Sequence, residues 1–288
     1  YSLIEIFSGT LMFNKLDCNY ILCNKVFKFS NKFGLYYENV GNYESIYKRD
    51  KFGFRSKRKL ISDIDILTIG GSTTDERFLK QEDTWSEQLE TNFVKNKIDI
   101  DVVNAGIDGQ STIGHIWNFR NWFPKIKNFK TKYILFYIGI NERLMENEIS
   151  KYDNYINVSN LNIYKKAIYY LKKNNGLTYR LYELIYKKYF YTETMHVGHM
   201  PREVNYKKIN NKYFLKKEQK ETLKKNLTLL TKYTKEINAI PIYVSQKSLR
   251  GIYLNGEYYS NTEFDIYNYE KEISETINEY CKKNKIIF

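Results

Sequence analysis

The segment Asp63-Ile-Asp-Ile-Leu-Thr-Ile-Gly-Gly-Ser-Thr-Thr-Asp75 decides the fold prediction. Its short apolar run, from Ile64 to Ile69, has the length and the residue types of a buried strand in a parallel sheet. Two glycines end the run and permit a sharp turn, and Ser72 follows them. A serine between a strand and a helix, at the carboxyl end of a central strand, is where an α/β sheet presents a nucleophile. The alternative interpretation is a turn residue that caps the next helix.

Around this segment the chain alternates between strand and helix patterns. Further strands are predicted at about 98–104, 132–138 and 239–245, and a fifth begins at about 285. Helices are predicted at about 82–96, in the segment after Ser111, and at about 216–237 and 262–283. This alternation predicts an α/β fold with a parallel five-stranded sheet, right-handed crossovers and helices on both faces.

Two regions depart from the alternation. Residues 1–60 are aromatic-rich and irregular, and we expect them to form extended segments wrapped on the α/β domain of residues 61–288. Residues 143–215 interrupt that domain, and two helices rich in tyrosine and lysine are predicted within them, at about 160–174 and 177–191. An insertion over the carboxyl edge of a sheet is the usual place for a lid, so we expect a helical lid there.

The chain carries a formal net charge of +13, from 46 lysines and arginines against 33 aspartates and glutamates. A basic chain can bind nucleic acid or an anionic surface. Most of its positive residues are lysines spread along the chain, however, whereas nucleic-acid recognition relies on the planar fork of arginine. We therefore interpret them as solvated helix faces and predict no nucleic-acid partner. The hydrophobic content of 42% supports a substantial core.

The three cysteines, Cys18, Cys23 and Cys281, are too few for a disulfide framework. Cys18 and Cys23 could pair in principle, but we expect free thiols at all three positions. Their spacing does not match a zinc site. His196 and His199 form a His-x-x-His pair that lacks the further ligands a metal needs, so no metal site is predicted.

Three of the predicted strands end in small or polar residues. The first is followed by Gly70–Thr74, the second by Asn104–Gly109 and the third by Gly139–Glu142. Because the carboxyl ends of parallel strands meet at one edge of a sheet, we expect these segments to converge. The convergence favours a nucleophile at Ser72 over a helix cap.

The three segments resemble the conserved blocks of the SGNH (GDSL-type) hydrolase superfamily, in the branch whose first block reads Gly-Gly-Ser-Thr-Thr. Here the blocks stand as Ile69-Gly-Gly-Ser-Thr-Thr74, Asn104-Ala-Gly-Ile-Asp-Gly109 and Gly139-Ile-Asn-Glu142, in the order of the family. The lead-in Phe52-Gly-Phe-Arg55 also looks like that branch. The resemblance covers about 61 to 250. It implies a three-layer flavodoxin-like domain that acts without a metal or an organic cofactor.

The resemblance also implies roles for individual residues. Ser72 would attack an ester carbonyl. The developing oxyanion would be held by the backbone N–H groups of Ser72 and Gly109 and by the side-chain amide of Asn141. The expected function is a serine esterase or an O-acyl (acetyl) transferase that forms an acyl-Ser72 intermediate. Its substrate would be an acylated small molecule or a cell-surface glycan. The alternative is a catalytically incomplete scaffold that binds a glycan or a protein.

The sequence departs from the family pattern at two points. Glu142 stands where the family has aspartate, and the Asp-x-x-His block that follows strand five is not in this sequence. Because serine needs a base to become a nucleophile, we expect that block beyond Phe288. Two alternatives are His196 or His199 as a substitute base, and a scaffold that does not hydrolyse esters. We expect His115 to be a packed or surface histidine of a helix.

The predicted location depends on the first residues. The segment from Tyr1 to Phe13 fits either the exit of a removed membrane-anchor helix or an amphipathic helix that packs on the domain. The sequence has no run of about 18 or more apolar residues, so we predict no membrane helix within it. A tether and a surface-glycan substrate together predict an extracytoplasmic, membrane-anchored domain. Unpaired cysteines leave a cytoplasmic location as the alternative.

Overall fold

The computed structural model describes residues 16–18, 20–30, 44–57, 63–142, 149–150, 153, 155–156, 206–210, 214–248, 251–260 and 265–288. The chain divides into two compact units, residues 1–16 with 156–200 and residues 17–155 with 201–288. Apart from residues 16 and 156, the described residues belong to the second unit. The helices predicted at about 160–174 and 177–191 therefore lie outside the described residues.

The described part of the chain contains the following strands and helices. The strands are β1 (Val26–Ser30), β2 (Glu44–Lys48), β3 (Ile64–Gly70), β4 (Val102–Asn104), β5 (Thr131–Ile138), β6 (Ile149–Ser150), β7 (Tyr155–Ile156), β8 (Lys207–Lys208), β9 (Ile240–Ser245), β10 (Gly251–Leu254) and β11 (Glu257–Ser260). The α-helices are α1 (Ser72–Asp75), α2 (Trp85–Lys95), α3 (Thr112–Asn121), α4 (Lys217–Glu236) and α5 (Ile266–Asn284). Short 3₁₀-helices lie at Gln81–Asp83 and Phe123–Lys125.

The central sheet has four parallel strands in the order β4-β3-β5-β9. Where the pattern predicts a fifth strand, a single parallel bridge joins Ile287 to Ile242 of β9. Counted along the chain, the order is 2-1-3-4, with the bridge in fifth place, which is the flavodoxin-like order. The strand order reverses at β3, because β4 is added on one side of it and β5 on the other. The turn that carries Ser72 therefore lies at the position where folds of this kind bind their ligands.

Helices cover both faces of this sheet, as predicted. Phe136 and Tyr137 are consecutive in β5, so their side chains point to opposite faces. The ring of Phe136 lies 6.3 Å from that of Phe119 in α3, and the ring of Tyr137 lies 5.7 Å from that of Trp85 in α2. Helices α2 and α3 therefore pack on opposite faces, and β3 between them is almost continuously buried.

The second core strand is shorter than predicted. It spans Val102–Asn104, whereas the pattern indicates about 98–104. Lys97 has a φ of 60°, and Ile98 remains 46% exposed, so the chain does not enter the sheet there. The backbone N–H of Asp101 donates to the Asp65 carboxylate at 2.9 Å, which replaces a ladder bond at the start of the strand.

A hairpin precedes α5, in a segment for which the sequence pattern predicts no strand. Strands β10 and β11 pair antiparallel, and Asn255 and Gly256 connect them with φ angles of 51° and 81°. Two positive φ angles at an Asn-Gly pair are characteristic of a tight type I′ hairpin turn. The signal for the hairpin is therefore present in the sequence. Strand β8 adds to the free side of β11.

The described residues of the lead-in, which is the segment 1–60, pack on the α/β domain through aromatic contacts. Strands β1 and β2 form an antiparallel pair. Beyond them, the ring of Phe54 stacks on Trp122 with centroids 5.0 Å apart, and the Trp122 indole N–H donates to the Phe52 carbonyl at 2.6 Å. None of the described helices is long and apolar enough to cross a membrane.

The prediction of three free thiols was wrong for two of them. Cys18 and Cys23 form a disulfide across five positions, and Cys281 is a buried free thiol. A pair at this spacing needs the chain to fold back on itself. Positive φ angles at Leu22 and Asn24 provide that reversal next to Cys23.

Candidate active site

Ser72 lies at the exposed turn between β3 and α1. It is the first residue of α1, and Gly71 occupies the cap position with no side-chain cap hydrogen bond. The capping interpretation of Ser72 therefore does not fit. A side chain at position 71 would place its Cβ 2.2 Å from the Nδ2 atom of Asn141, so any larger residue would displace that amide. The first N–H groups of a helix have no partner within it, which leaves the Ser72 N–H as a donor at the turn.

Gly109 lies at the end of the loop that follows β4. Its φ of 76° is in the left-handed region that favours glycine. The loop is attached to the first turn at two points, because the Ile107 N–H donates to the Gly70 carbonyl at 3.0 Å and the Asp108 N–H to the Asp75 carboxylate at 3.2 Å. These bonds hold the Gly109 loop beside the Ser72 turn.

Asn141 joins the third loop to the other two. Its half-buried side-chain amide donates from Nδ2 to the Gln110 carbonyl at 2.9 Å. The same amide lies against Gly71. Asn141 thus contacts the direct neighbours of Ser72 and Gly109, and the structure brings the three predicted residues to one edge of the sheet. The remaining candidates, His196 and His199, lie outside the described residues.

Asp75 is the buried anion beneath this edge, and no pattern in the sequence distinguishes it from other acidic residues. Its carboxylate accepts from the Tyr47 hydroxyl at 2.7 Å, from Arg49 Nη2 at 2.7 Å and from Arg77 Nε at 2.6 Å. Burial acts to raise the pKa of Asp75, but the charges of Arg49 and Arg77 and its hydrogen bonds outweigh burial and lower the pKa to about 2. Asp75 is therefore ionised and ties the lead-in to the Ser72 turn.

Arg55 holds the chain that leaves α1. Its guanidinium donates to the backbone carbonyls of Asp75, Glu76 and Leu79, the last at 2.6 Å. The side chain is fully buried. The motif Phe52-Gly-Phe-Arg55 therefore fixes the backbone that follows α1, since Arg55 supplies a fork of donors to three carbonyls there.

The side chains of Glu142 and Asp153 accept hydrogen bonds from the amino end of α3. Glu142 accepts from the backbone N–H of Thr112 at 3.0 Å and from its hydroxyl at 2.8 Å. Asp153 accepts from the Ser111 N–H at 2.7 Å and the Gly114 N–H at 3.0 Å. Carboxylates at a helix amino end satisfy unpaired donors and oppose the helix dipole. Burial raises the pKa of Glu142 to about 8. The side chain of Glu142 thus braces the Asn141 loop against α3.

Gln246, which directly follows β9, stabilises the same edge of the sheet. Its side-chain amide donates to the Thr73 hydroxyl, and its Oε1 accepts from the Ile140 N–H at 3.2 Å. One buried residue thereby contacts the immediate neighbours of Ser72 and Asn141. Trp85 holds Thr73 from the other side, through a 2.9 Å bond from its indole N–H to the Thr73 carbonyl. Sequence reasoning missed Gln246, although its place just after β9 puts it on the same edge.

His115 is a packed helix histidine, one of the two placements expected for it. It is buried in α3, and its Nδ1 lies 3.1 Å from Oε1 of Gln110. Burial lowers its pKa to about 3, so the imidazole is neutral at physiological pH. The Gln110 amide in turn donates to the Tyr20 hydroxyl at 2.7 Å. His115 therefore supports Gln110 and does not face Ser72.

Comparison with known proteins finds remote structural similarity. No protein-family model matches the chain, and no curated protein matches it. A member of the lipolytic protein G-D-S-L family from Veillonella parvula is 12% identical over 78% of this chain and 75% of its own, with a TM-score of 0.42. AlinE4, an esterase of the SGNH-hydrolase family, is 11% identical over 78% and 74%, with a TM-score of 0.41. The psychrotrophic esterase EstA from a Pseudoalteromonas species is 14% identical over 77% and 74%, with a TM-score of 0.38.

Two of these three are SGNH or G-D-S-L proteins, the superfamily that the sequence blocks resemble. The fold of this chain stands on its own strand order and helix placement. Because the similarities are remote, we infer the function from the residues of this chain.

Proposed function

We propose that the protein is a serine esterase of SGNH type that cleaves carboxylic esters through an acyl-Ser72 intermediate. The observation that carries the proposal is the position of the Asn141 amide, which lies against Gly71 and donates to Gln110. An amide needs neither charge nor proton transfer to donate to an oxyanion, and it has two N–H groups. One is used on Gln110, and the other is available beside Ser72.

The proposed reaction begins when Ser72 Oγ attacks the ester carbonyl carbon and forms a C–O bond. The carbonyl oxygen becomes an oxyanion, for which the donors are the N–H groups of Ser72 and Gly109 and the Asn141 amide. A donor of this kind is worth about 2.7–4 kcal/mol when it is held in place before the reaction. The ester C–O bond then breaks, the alcohol leaves with the proton taken from Ser72, and water hydrolyses the acyl-enzyme.

The base for Ser72 is proposed to be a histidine outside the described residues. His115 is excluded as the base because it is buried against Gln110. The other histidines of this sequence are His196 and His199. The double substitution His196→Gln with His199→Gln would lower kcat more than about 100-fold if either histidine is the base. An unchanged rate would exclude both histidines as the base.

Two finer features belong to the proposal. The acyl-enzyme is resolved either by water or by a sugar hydroxyl, which separates an esterase from an O-acetyl transferase. The substrate is an acylated small molecule or an acylated cell-surface glycan.

We further propose an extracytoplasmic location with a membrane tether. The Cys18–Cys23 disulfide supports the extracytoplasmic part, since disulfides persist in oxidising compartments. Mass mapping of the protein from its native source, without reduction, tests whether the pair is formed.

A second candidate function is a binding module with the same scaffold and no turnover. It is favoured by one observation, namely that the described histidine, His115, does not face Ser72. The two candidates differ in the reactivity of Ser72. An activated serine is labelled by a fluorophosphonate, whereas an ordinary exposed serine is not.

The deciding experiment combines fluorophosphonate labelling, peptide mass analysis and hydrolysis of p-nitrophenyl acetate. We expect the label on Ser72, and we expect Ser72→Ala to lower kcat more than about 10³-fold. The control is Thr228→Ala, which removes an exposed hydroxyl that donates to Lys224 in α4 and should change neither readout. Neither label nor hydrolysis in the unmodified protein would favour the binding module. Full activity in Ser72→Ala would refute the acyl-serine mechanism.

A further inference from the structure

A cavity of about 360 Å³ opens at the carboxyl end of β9, next to the candidate active site. Its volume is near the lower end of the range for ligand pockets, about 300–1,000 Å³. The lining includes Ser245, Gln246, Lys247, Tyr267, Glu270 and Ser274. Because the Gln246 side chain also donates to the Thr73 hydroxyl, the cavity wall is one hydrogen bond away from the residue that follows Ser72.

Tyr267 lines this cavity, and two tyrosines of the β10–β11 hairpin pack against it, so that the three rings form a tyrosine wall at the edge of the cavity. Tyr253 and Tyr258 face each other across the β10–β11 hairpin, with ring centroids 4.8 Å apart. Tyr267, in the cavity lining, lies 5.9 Å from Tyr253 and 5.4 Å from Tyr258. Tyr253 is 51% exposed. The cavity thus borders an accessible aromatic surface that the esterase mechanism does not use.

The charged groups of the cavity are already partnered. The Glu270 carboxylate accepts from the backbone N–H and the hydroxyl of Ser248. Lys271 lies 3.9 Å from Glu275, and the Lys247 ammonium lies 4.6 Å from the centre of the Tyr267 ring. A charged ligand would have to compete with these contacts. A neutral ligand would leave the contacts of Glu270 and Lys271 in place and would compete only with Lys247 for the Tyr267 ring, so a neutral group fits the cavity better than an ionic one.

The hydroxyl groups of the cavity add a polar side to the lining. Ser274 and Ser245 are joined by a 2.8 Å hydrogen bond between their hydroxyls, and a serine hydroxyl can donate once and accept twice. Each therefore keeps capacity for a ligand. Aromatic rings accept the apolar faces of a sugar ring, and short polar side chains accept its hydroxyls. A neutral, hydroxyl-rich ring compound satisfies both kinds of lining.

We infer that this cavity binds the saccharide part of the substrate, a neutral sugar unit whose acyl group reaches Ser72. The inference rests on the proposed esterase function and adds the substrate class and the place where it binds. The tyrosine wall would hold the sugar ring, and Ser245 and Ser274 would contact its hydroxyls. Gln246, shared between the cavity and Thr73, would connect the bound sugar to the reacting serine.

The test uses the full chain with Ser72→Ala and measures binding by isothermal titration calorimetry. The probes are cellotriose, maltotriose and tri-N-acetylchitotriose. We expect saturable binding of at least one of them. Substitution Tyr253→Leu or Tyr267→Leu should weaken that binding about tenfold or more, as expected for an aromatic anchor. Tyr253 is half exposed, so its replacement does not open the core, and circular dichroism melting verifies the fold of each variant.

The matched control is Tyr233→Leu, since Tyr233 lies in α4 and packs on Phe119 and Arg120 of α3, away from the tyrosine wall. It should leave the sugar affinity unchanged. The inference is overturned if none of the three sugars binds, or if all three tyrosine variants bind equally well. Its failure is distinct from that of the proposed function. Labelling of Ser72 without sugar binding would remove the cavity inference alone, and sugar binding without labelling would remove the esterase alone.

Discussion

The side-chain amide of Asn141 donates to the backbone carbonyl of Gln110 across 2.9 Å, and this bond joins the third loop of the sheet edge to the second. The bond orients the amide, because a primary amide that spends one N–H has the other in a fixed direction. Gly71 makes the arrangement possible, since a Cβ at that position would lie 2.2 Å from the amide nitrogen. We therefore predict separate effects for substitutions of Asn141, of Gln246 and of the buried ion pair.

The Asn141 amide should contribute to kcat through the transition state. We expect Asn141→Ala to lower kcat for p-nitrophenyl acetate about 10²–10³-fold, equivalent to about 2.7–4 kcal/mol, with a much smaller change in KM. Asn141→Asp should lose at least as much, because it keeps the shape but places an acceptor near the oxyanion. Asn96→Ala, at an exposed amide that donates to Asn92, is the control. A rise in KM alone, or full activity of Asn141→Asp, would contradict an oxyanion role.

Gln246 should act as a positioning residue through Thr73. We expect Gln246→Ala and Thr73→Val each to lower kcat, because each removes one side of the same hydrogen bond. Their double variant should be no worse than about one of the singles, with a coupling energy of about 0.5–3 kcal/mol. The measurement is a double-mutant cycle on kcat with thermal unfolding alongside. Simple additivity of the two losses would show that the bond does not position Ser72.

Sequence reasoning could place Ser72, Gly109 and Asn141 on one edge because each follows its own strand. Parallel strands end at the same edge, so strand order along the chain is enough. It could not find Gln246 as a brace, since the contact with Thr73 spans 173 positions. Asp153 contacts Ser111 across 42 positions and was missed for the same reason. Local patterns carry no information on which distant side chain fills a polar gap.

Two other differences between the predicted and the observed elements concern signals that are local in the sequence. The Asn255-Gly256 pair indicates a hairpin, yet the strands on either side are only four residues each, and such short runs are easily assigned to a loop. The short β4 shows the opposite error. Alternating isoleucine and aspartate residues extend the predicted strand to Ile98, and the exposure of that side chain depends on tertiary packing that the pattern does not report.

Glu142 should make stability depend on pH. Burial raises its pKa from 4.5 to about 8 in the folded protein, so the folded state binds its proton more tightly than the unfolded chain. The stabilisation is complete below about pH 4.5 and is lost as the pH rises through about 8. Asp153, at the same helix end, also raises the pKa of Glu142 through its negative charge.

The measurement for Glu142 is urea unfolding between about pH 5 and pH 8.5. The unfolding free energy should fall with pH by up to about 1.4 kcal/mol per unit from this group. Glu142→Gln stays neutral and keeps one oxygen for the Thr112 N–H, while its NH2 group can donate to the Thr112 hydroxyl, so its slope should be flatter. Parallel slopes for the two proteins would show that Glu142 is already ionised in the folded state.

Arg49 should be essential for the fold of the Ser72 turn because it neutralises buried Asp75. The two side chains are 1% and 0% exposed and lie 2.7 Å apart. Arg49→Met keeps much of the volume but leaves the carboxylate without its main counter-charge, which typically costs about 3–5 kcal/mol for a buried pair. Asp75→Asn in the Arg49→Met background should recover part of the loss, because it removes the uncompensated charge.

The measurement for this pair is urea unfolding at pH 7. Lys232→Met, at an exposed pair with Glu236, is the control and should change the unfolding free energy little, because exposed ion pairs contribute little to stability. If Arg49→Met destabilised the protein no more than this control does, Arg77 and Tyr47 would suffice to hold Asp75 in its ionised form.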